Sequence, residues 1–182
     1  MRVLPYALLF PVVALTLSLN HQQPAAPTRS AASAELRVTG AVTTPLALSA
    51  TDLKKLPRKS VKVLNPHEKR EEEYEGVAVQ ELLYRAGVPQ NDKLRGSAMA
   101  TYVLAEAADG YAVLYSLAEL DSDFQDSGVI IADTMNGSPL GKMQGPFKMV
   151  APHDKRPARW IRMLKSITVV NVAPPKKPAP PQ

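Results

Sequence analysis

Apolar and polar residues alternate over residues 35–42 (ELRVTGAV), with Leu36, Val38 and Val42 on one side and a break at Gly40. A period of two predicts a β-strand, and the glycine predicts a turn or bulge. Leu46 and Leu48 continue in extended form after Pro45. Ser49 then caps a short helix, with Asp52 in its first turn, Leu53 and Leu56 facing inward and Pro57 as the stop. Residues 60–64 (SVKVL) alternate again. The charge run over residues 65–75 (NPHEKREEEYE) reads as a solvated hairpin or loop. Beyond Gly76, Val79, Leu82, Leu83 and Ala86 fall at i, i+3, i+4 and i+7, which is one face of a helix. Gly87 suits its left-handed C-cap, and Pro89 prevents continuation.

The second half is dominated by strand patterns. Residues 101–107 (TYVLAEA) and 111–115 (YAVLY) flank Ala108-Asp109-Gly110, and Asp-Gly between two such runs signals a hairpin. Ser116 with Glu119 forms a capping box for a short helix over Leu117 and Leu120. Residues 129–132 (VIIA) read as a short buried strand, and Asn136-Gly137 as a tight turn. Residues 147–150 and 167–172 complete the strands. Many short strands with three or so short helices predict an α+β domain with a mixed β-sheet.

Composition separates this domain from the ends of the chain. Of 17 prolines in 182 residues, four precede residue 35 and five follow residue 172. Residues 3–19 (VLPYALLFPVVALTLSL) are apolar behind Arg2, so residues 1–20 read as a signal peptide or N-terminal anchor. Residues 21–34 read as a flexible linker, 35–172 as the domain and 173–182 as a disordered Pro-rich tail. The expected location is therefore exported, periplasmic or secreted, with membrane contact only through an uncleaved N-terminal segment. The net charge of +5 comes mostly from the ends, because residues 35–172 hold 18 basic and 17 acidic side chains. A near-neutral domain does not point to nucleic acid. The absence of cysteine removes disulfides, thiolate metal sites and a cysteine nucleophile, and suits an oxidising compartment.

Familiar catalytic signatures are missing. Residues 137–142 (GSPLGK) have three residues between the glycines instead of four. Pro139 lies inside the loop, and Met143 stands where a phosphate-binding loop needs Ser or Thr. The sequence contains neither G-x-S-x-G nor H-E-x-x-H, and the three histidines do not define a metal site. No catalytic residue or metal ligand is assigned. The segment that stands out is 145–160 (GPFKMVAPHDKRPARW). It has Lys148, Lys155, Arg156, Arg159, the sole tryptophan Trp160, and only Asp154 as an acid. Arginines fixed by proline-bounded turns offer bidentate forks to planar anions. The plainer reading is that the basic residues solvate a loop while Trp160 fills the core.

The order of these segments resembles the oxidoreductase molybdopterin-binding family, which includes the sulfite oxidase catalytic domain. The matching pieces are LRVTGAV (36–42), YEGV (74–77) with Leu82-Leu83 and AGV (86–88), and ADGY (108–111). IIA (130–132), NGSPL (136–140), GPFKMVAP (145–152) and ARWI (158–161) follow. The resemblance covers about residues 36–170 and is nearest the short, exported, single-domain members. It implies a sulfite-oxidase-like fold and, as cofactor, a molybdenum atom on a pterin dithiolene. In the large enzymes basic side chains grip the pterin phosphate and one cysteine thiolate binds the metal. The equivalent stretch here, roughly 61–73, holds His67 and no cysteine. The resemblance thus implies a cofactor- or ligand-binding set of Lys148, Lys155, Arg156, Arg159, Trp160, Asp109, Tyr111 and His67. Asp109 and Tyr111 are equally accounted for by the hairpin turn and a core-facing ring.

The reading that follows is an exported module that binds an anionic or pterin-like small molecule or a partner, without the cysteine ligand. One alternative is a molybdopterin-dependent oxidoreductase that holds its metal without a protein thiolate. Another is a membrane-tethered interaction protein.

Overall fold

Strand order, more than strand content, determines where the cleft of this protein lies. The structure, a computed structural model, describes residues 34–65 and 68–175. The first sheet is built from β1 (Glu35–Gly40), β2 (Leu46–Ser49), β5 (Thr101–Ala107), β6 (Ala112–Ser116) and β10 (Leu164–Asn171), in the order β2-β1-β10-β5-β6. Only β1 and β10 run parallel; the other pairs are antiparallel. The second sheet is built from β3 (Lys59–Leu64), β4 (Glu71–Ala78), β7 (Ile130–Met135), β8 (Ser138–Pro139) and β9 (Lys148–Val150). Its path is β3-β4-β7-β8, and β9 also pairs with β7. The expected α+β class is what the chain forms. The strands, though, are divided between two sheets, a partition that alternation within single strands does not specify.

The turns obey local chemistry. Ser49 caps α1 (Ala50–Lys54): its hydroxyl accepts the Asp52 N–H, and the Asp52 carboxylate accepts the Ser49 N–H. Helix α2 (Val79–Arg85) buries Val79, Leu82 and Leu83, as its spacing predicts. Gly87 follows at φ +75°, a left-handed conformation that favours glycine. The Asp109-Gly110 turn joins β5 to β6. Ser116 and Glu119 bond each other over a single 3-10 turn, Ala118–Leu120. The charge run after β3 is a hairpin, as expected, but not wholly a solvated one. Strand β4 alternates, so Glu71 and Glu73 face water while Glu72 and Tyr74 are buried.

The same alternation gives the second sheet two apolar faces. One joins the main core, where Val77, Ile131 and Met149 meet Leu36, Val38, Leu82 and Phe147. The other carries a smaller cluster of Val61, Val63, Tyr74, Ile130, Ala132 and Val150, with Trp160 packed against it. Gly76 allows β4 and β7 to approach at the bulge between Glu75 and Gly76, since a Cβ there would lie 1.9 Å from the Ile131 carbonyl oxygen. Arg58, just before β3, spans this sheet. It donates to both Asp133 oxygens at 2.9 and 2.7 Å and to Glu75 at 2.9 Å. Among the described residues no helix is long and apolar enough to cross a membrane. The signal or anchor and nearly all of the linker lie outside the described residues, as does the tail from residue 176.

The Asp133 side chain is 3% exposed and that of Arg58 25%. Asp133→Ala strands a half-buried guanidinium, so we expect a loss of about 3 kcal/mol, the low end for breaking a buried pair. Urea unfolding monitored by circular dichroism checks this; an unchanged midpoint contradicts it.

Candidate ligand-binding cleft

Strand parity determines the chemistry on the outer face of the second sheet. In β9, Met149 points into the main core, so Lys148 and Val150 point the other way. Lys148 is thereby carried inside, 6% exposed, opposite Ala132 of β7. A buried ammonium needs oxygen partners. Lys148 Nζ donates to the Tyr74 hydroxyl at 2.7 Å and to Gln144 Oε1 at 2.6 Å. It also lies 4.4 Å from the Tyr74 ring centroid and 5.4 Å from that of Trp160. The two rings meet edge to face, 6.0 Å apart at 83°. They form a partial aromatic cage that favours a cation electrostatically.

The chain of contacts continues behind Tyr74. Its hydroxyl donates to Glu72 Oε2 at 2.8 Å, and Asn65 Nδ2 donates to Glu72 Oε1 at 2.7 Å. Glu72 is 5% exposed. Burial alone would raise its pKa. The hydrogen bonds from Asn65 and Tyr74 and the charges of Lys148 and Arg70 outweigh burial, and the net shift is downward. Burial, with Glu72 second, raises the Tyr74 pKa, so Tyr74 remains a phenol. Burial chiefly, opposed by Glu72 and aided by Arg162, lowers the Lys148 pKa to about 8.

These groups line a cleft of about 590 Å³, within the range of small-molecule sites. One wall is β4 with Asn65, Glu68 and Arg70 before it. Opposite stand Tyr111 and Asp109 from the β5–β6 turn and the segment Pro157, Ala158, Trp160 and Arg162. Trp160 is fixed by its Nε1, which donates to the Ala151 carbonyl at 2.8 Å. The Tyr111 hydroxyl donates to the Ala158 carbonyl while its residue stays 50% exposed. Asp109 accepts the Tyr111 N–H at 3.0 Å.

Of the residues predicted from sequence, Lys148, Trp160, Asp109 and Tyr111 come together here. Lys155 and Arg156 are exposed and do not line the cleft. Arg159 does not line it either. It grips Asp154 with Nε at 2.9 Å and Nη2 at 2.6 Å, donates to Glu119, and stacks over the Tyr115 ring at 4.6 Å. His67 lies outside the described residues. Sequence reading missed Glu72, Tyr74, Gln144 and Arg162. Counting in twos back from Tyr74 lands on Glu72, a signal that the charge run conceals. Nothing in the sequence marks Gln144 or Arg162.

Lysine in the unfolded chain titrates near 10.4, whereas Lys148 in the folded chain titrates at about 8. Between these values the unfolded state binds more protons, so folding stability rises with pH across that window and gains nothing from this group below it. We expect the stability of the native protein relative to Lys148→Met to increase between about pH 8 and pH 10. Urea midpoints of both proteins across that range test this; parallel pH profiles contradict it.

No curated protein matches the chain. Among solved structures, the sulfane dehydrogenase SoxCD from Paracoccus pantotrophus is similar, with a TM-score of 0.59 at 20% identity. The match covers 76% of this chain and 38% of that one, so this chain spans well under half of the larger protein. At this identity the likeness is one of fold. The family model described as the oxidoreductase molybdopterin binding domain matches residues 23–177. With that match over most of its length, and a sulfite-oxidase-like fold, the chain belongs to the oxidoreductase molybdopterin-binding domain family.

Proposed function

We propose that this protein is an exported binding module that holds a small pterin-like or other planar anion in the cleft and carries out no molybdenum redox chemistry. The family's cofactor sets the first test. Its metal half does not suit the groups present. The chain has no cysteine, and the buried carboxylate of the cleft, Glu72, already accepts hydrogen bonds on both oxygens. Soft molybdenum–dithiolene centres favour thiolate, and amine, amide and carboxylate groups are poor substitutes. Among the described residues no three His, Asp or Glu side chains are grouped to hold a metal.

The observation that carries the anion reading is which charges stay unspent. Arg70 pairs with Glu68 at 2.7 Å, and Glu72 already accepts a hydrogen bond on each oxygen. Arg162 lines the cleft exposed, and Lys148 keeps one of its three N–H donors beyond Tyr74 and Gln144. The available positive groups are therefore Arg162 and the third Lys148 donor. Asp109 spends one oxygen on the Tyr111 N–H and keeps the other for a donor. A flat ring that bears an anionic group and N–H donors, as a pterin carboxylate or phosphate does, matches this set. The rings of Trp160 and Tyr111 supply apolar walls. Export is part of the proposal and is supported by the apolar run over residues 3–19.

Isothermal titration with 6-carboxypterin tests the reading. We expect saturable binding that Arg162→Ala weakens roughly tenfold. It should weaken further as salt approaches about 1 M, where the screening length is about 3 Å. Absence of binding by both 6-carboxypterin and inorganic phosphate, or no response to Arg162→Ala, defeats it. Stoichiometric molybdenum in protein purified from a cofactor-making host would favour the oxidoreductase alternative.

A further inference from the structure

Lys148 combines three features that seldom coincide on a lysine. It is buried, it borders an open cleft, and among the described residues it forms no ion pair. Its oxygen acceptors are a phenol and an amide, both uncharged. The nearest carboxylate of its hydrogen-bond chain, Glu72, sits one step behind the phenol. We propose that Lys148 is a nucleophilic amine that captures small anionic aldehydes or ketones in the cleft as a reversible imine. This rests on the anion-binding reading above and adds the reactive group that the bound anion would carry.

The surroundings supply what imine formation needs. The uncharged amine must be available, and burial favours loss of the proton against the aromatic rings, which favour the cation. The charged groups bearing on it are Glu72 from β4, which favours the ammonium, and Arg162 from the segment before β10, which opposes it. Glu68 and Arg70 neutralise each other at the cleft edge. Burial prevails, and the amine titrates at about 8. Arg162 holds the anionic end of the substrate.

The proton path is laid out as Nζ–H to Tyr74 Oη at 2.7 Å and Tyr74 O–H to Glu72 Oε2 at 2.8 Å. The amine nitrogen attacks the carbonyl carbon, and the first Nζ proton is relayed by the Tyr74 hydroxyl, backed by Glu72, to the carbonyl oxygen, giving a carbinolamine. The second Nζ proton follows the same relay to the hydroxyl, which leaves as water as the carbon–nitrogen double bond forms. Amine and carbonyl become imine and water, with no change of oxidation state. Tyr74, whose pKa is raised, stays protonated and serves as a relay for protons.

The test treats the full chain with glyoxylate and cyanoborohydride near pH 8, with carboxymethylated lysines located by peptide mass spectrometry. At that pH a surface lysine is roughly 0.4% free amine. We expect Lys148 to be labelled at least about tenfold faster than exposed Lys155, with a rate that rises through about pH 8. Tyr74→Phe keeps the ring and should slow labelling of Lys148 roughly 10²-fold. If that variant does not fold, the pH profile of the native protein carries the test. Labelling of Lys148 no faster than Lys155 overturns the proposal. 6-Carboxypterin binding without selective labelling removes the imine step and leaves the anion reading intact. Selective labelling with no binding of either 6-carboxypterin or inorganic phosphate removes the anion reading and leaves the imine step.

Discussion

A charged ammonium buried on a β-sheet face must find oxygens, because an unpaired buried charge costs several kcal/mol. That requirement organises this domain. Parity in β9 turns Lys148, together with Val150, away from the main core and into the second apolar cluster. Three separate pieces of chain then serve it: Tyr74 from β4, Gln144 from the loop before β9, and the Trp160 ring. Glu72 completes the arrangement at a distance, bound to the phenol that binds the amine. The second apolar cluster is thus an apolar collar around one polar chain.

The basic segment after β9 divides its work. Arg159 belongs to the scaffold: its fork closes on Asp154, a third contact reaches Glu119, and the Tyr115 hydroxyl donates to its carbonyl at 2.7 Å. The Asp154 hydrogen bond chiefly, with Glu119 in support and burial opposing, raises its pKa and keeps it charged. These contacts fix the backbone that carries Ala158, Trp160 and Arg162 past the cleft. Arg162, by contrast, keeps its charge toward the opening. Two arginines three residues apart therefore differ in kind, one spent on the fold and one exposed at the cleft.

Local patterns in the sequence were good guides where the physics is local. The Ser49 capping box, the α2 face, the Asp109-Gly110 hairpin and Gly87 all depend on neighbours within a few residues. The partition into two sheets depends on the β1–β10 pairing, which joins opposite ends of the domain. Site reading divided in the same way. Lys148 and Trp160 stood out by composition, and Asp109 with Tyr111 by turn chemistry. Arg159 was equally conspicuous, yet its partners Glu119 and Asp154 could not be inferred from composition. Glu72 was hidden because a glutamate among four acids within residues 71–75 reads as solvated until the parity of β4 is known.

The walls of the cleft are held before any ligand arrives. The Trp160 ring is pinned to Ala151, Tyr111 to Ala158, and the Tyr74 hydroxyl lies between Lys148 and Glu72. Each aromatic side chain has a polar atom anchored within the fold, so little rotamer freedom is left to lose on binding. Rings held in this way favour flat ligands, since a flexible ligand must surrender its own entropy to match them. The same anchoring confines the Lys148 amine. The amine cannot swing out to meet solvent partners without abandoning two hydrogen bonds and an aromatic cage. The amine is reached through the cleft, which Arg162 and Asp109 also line.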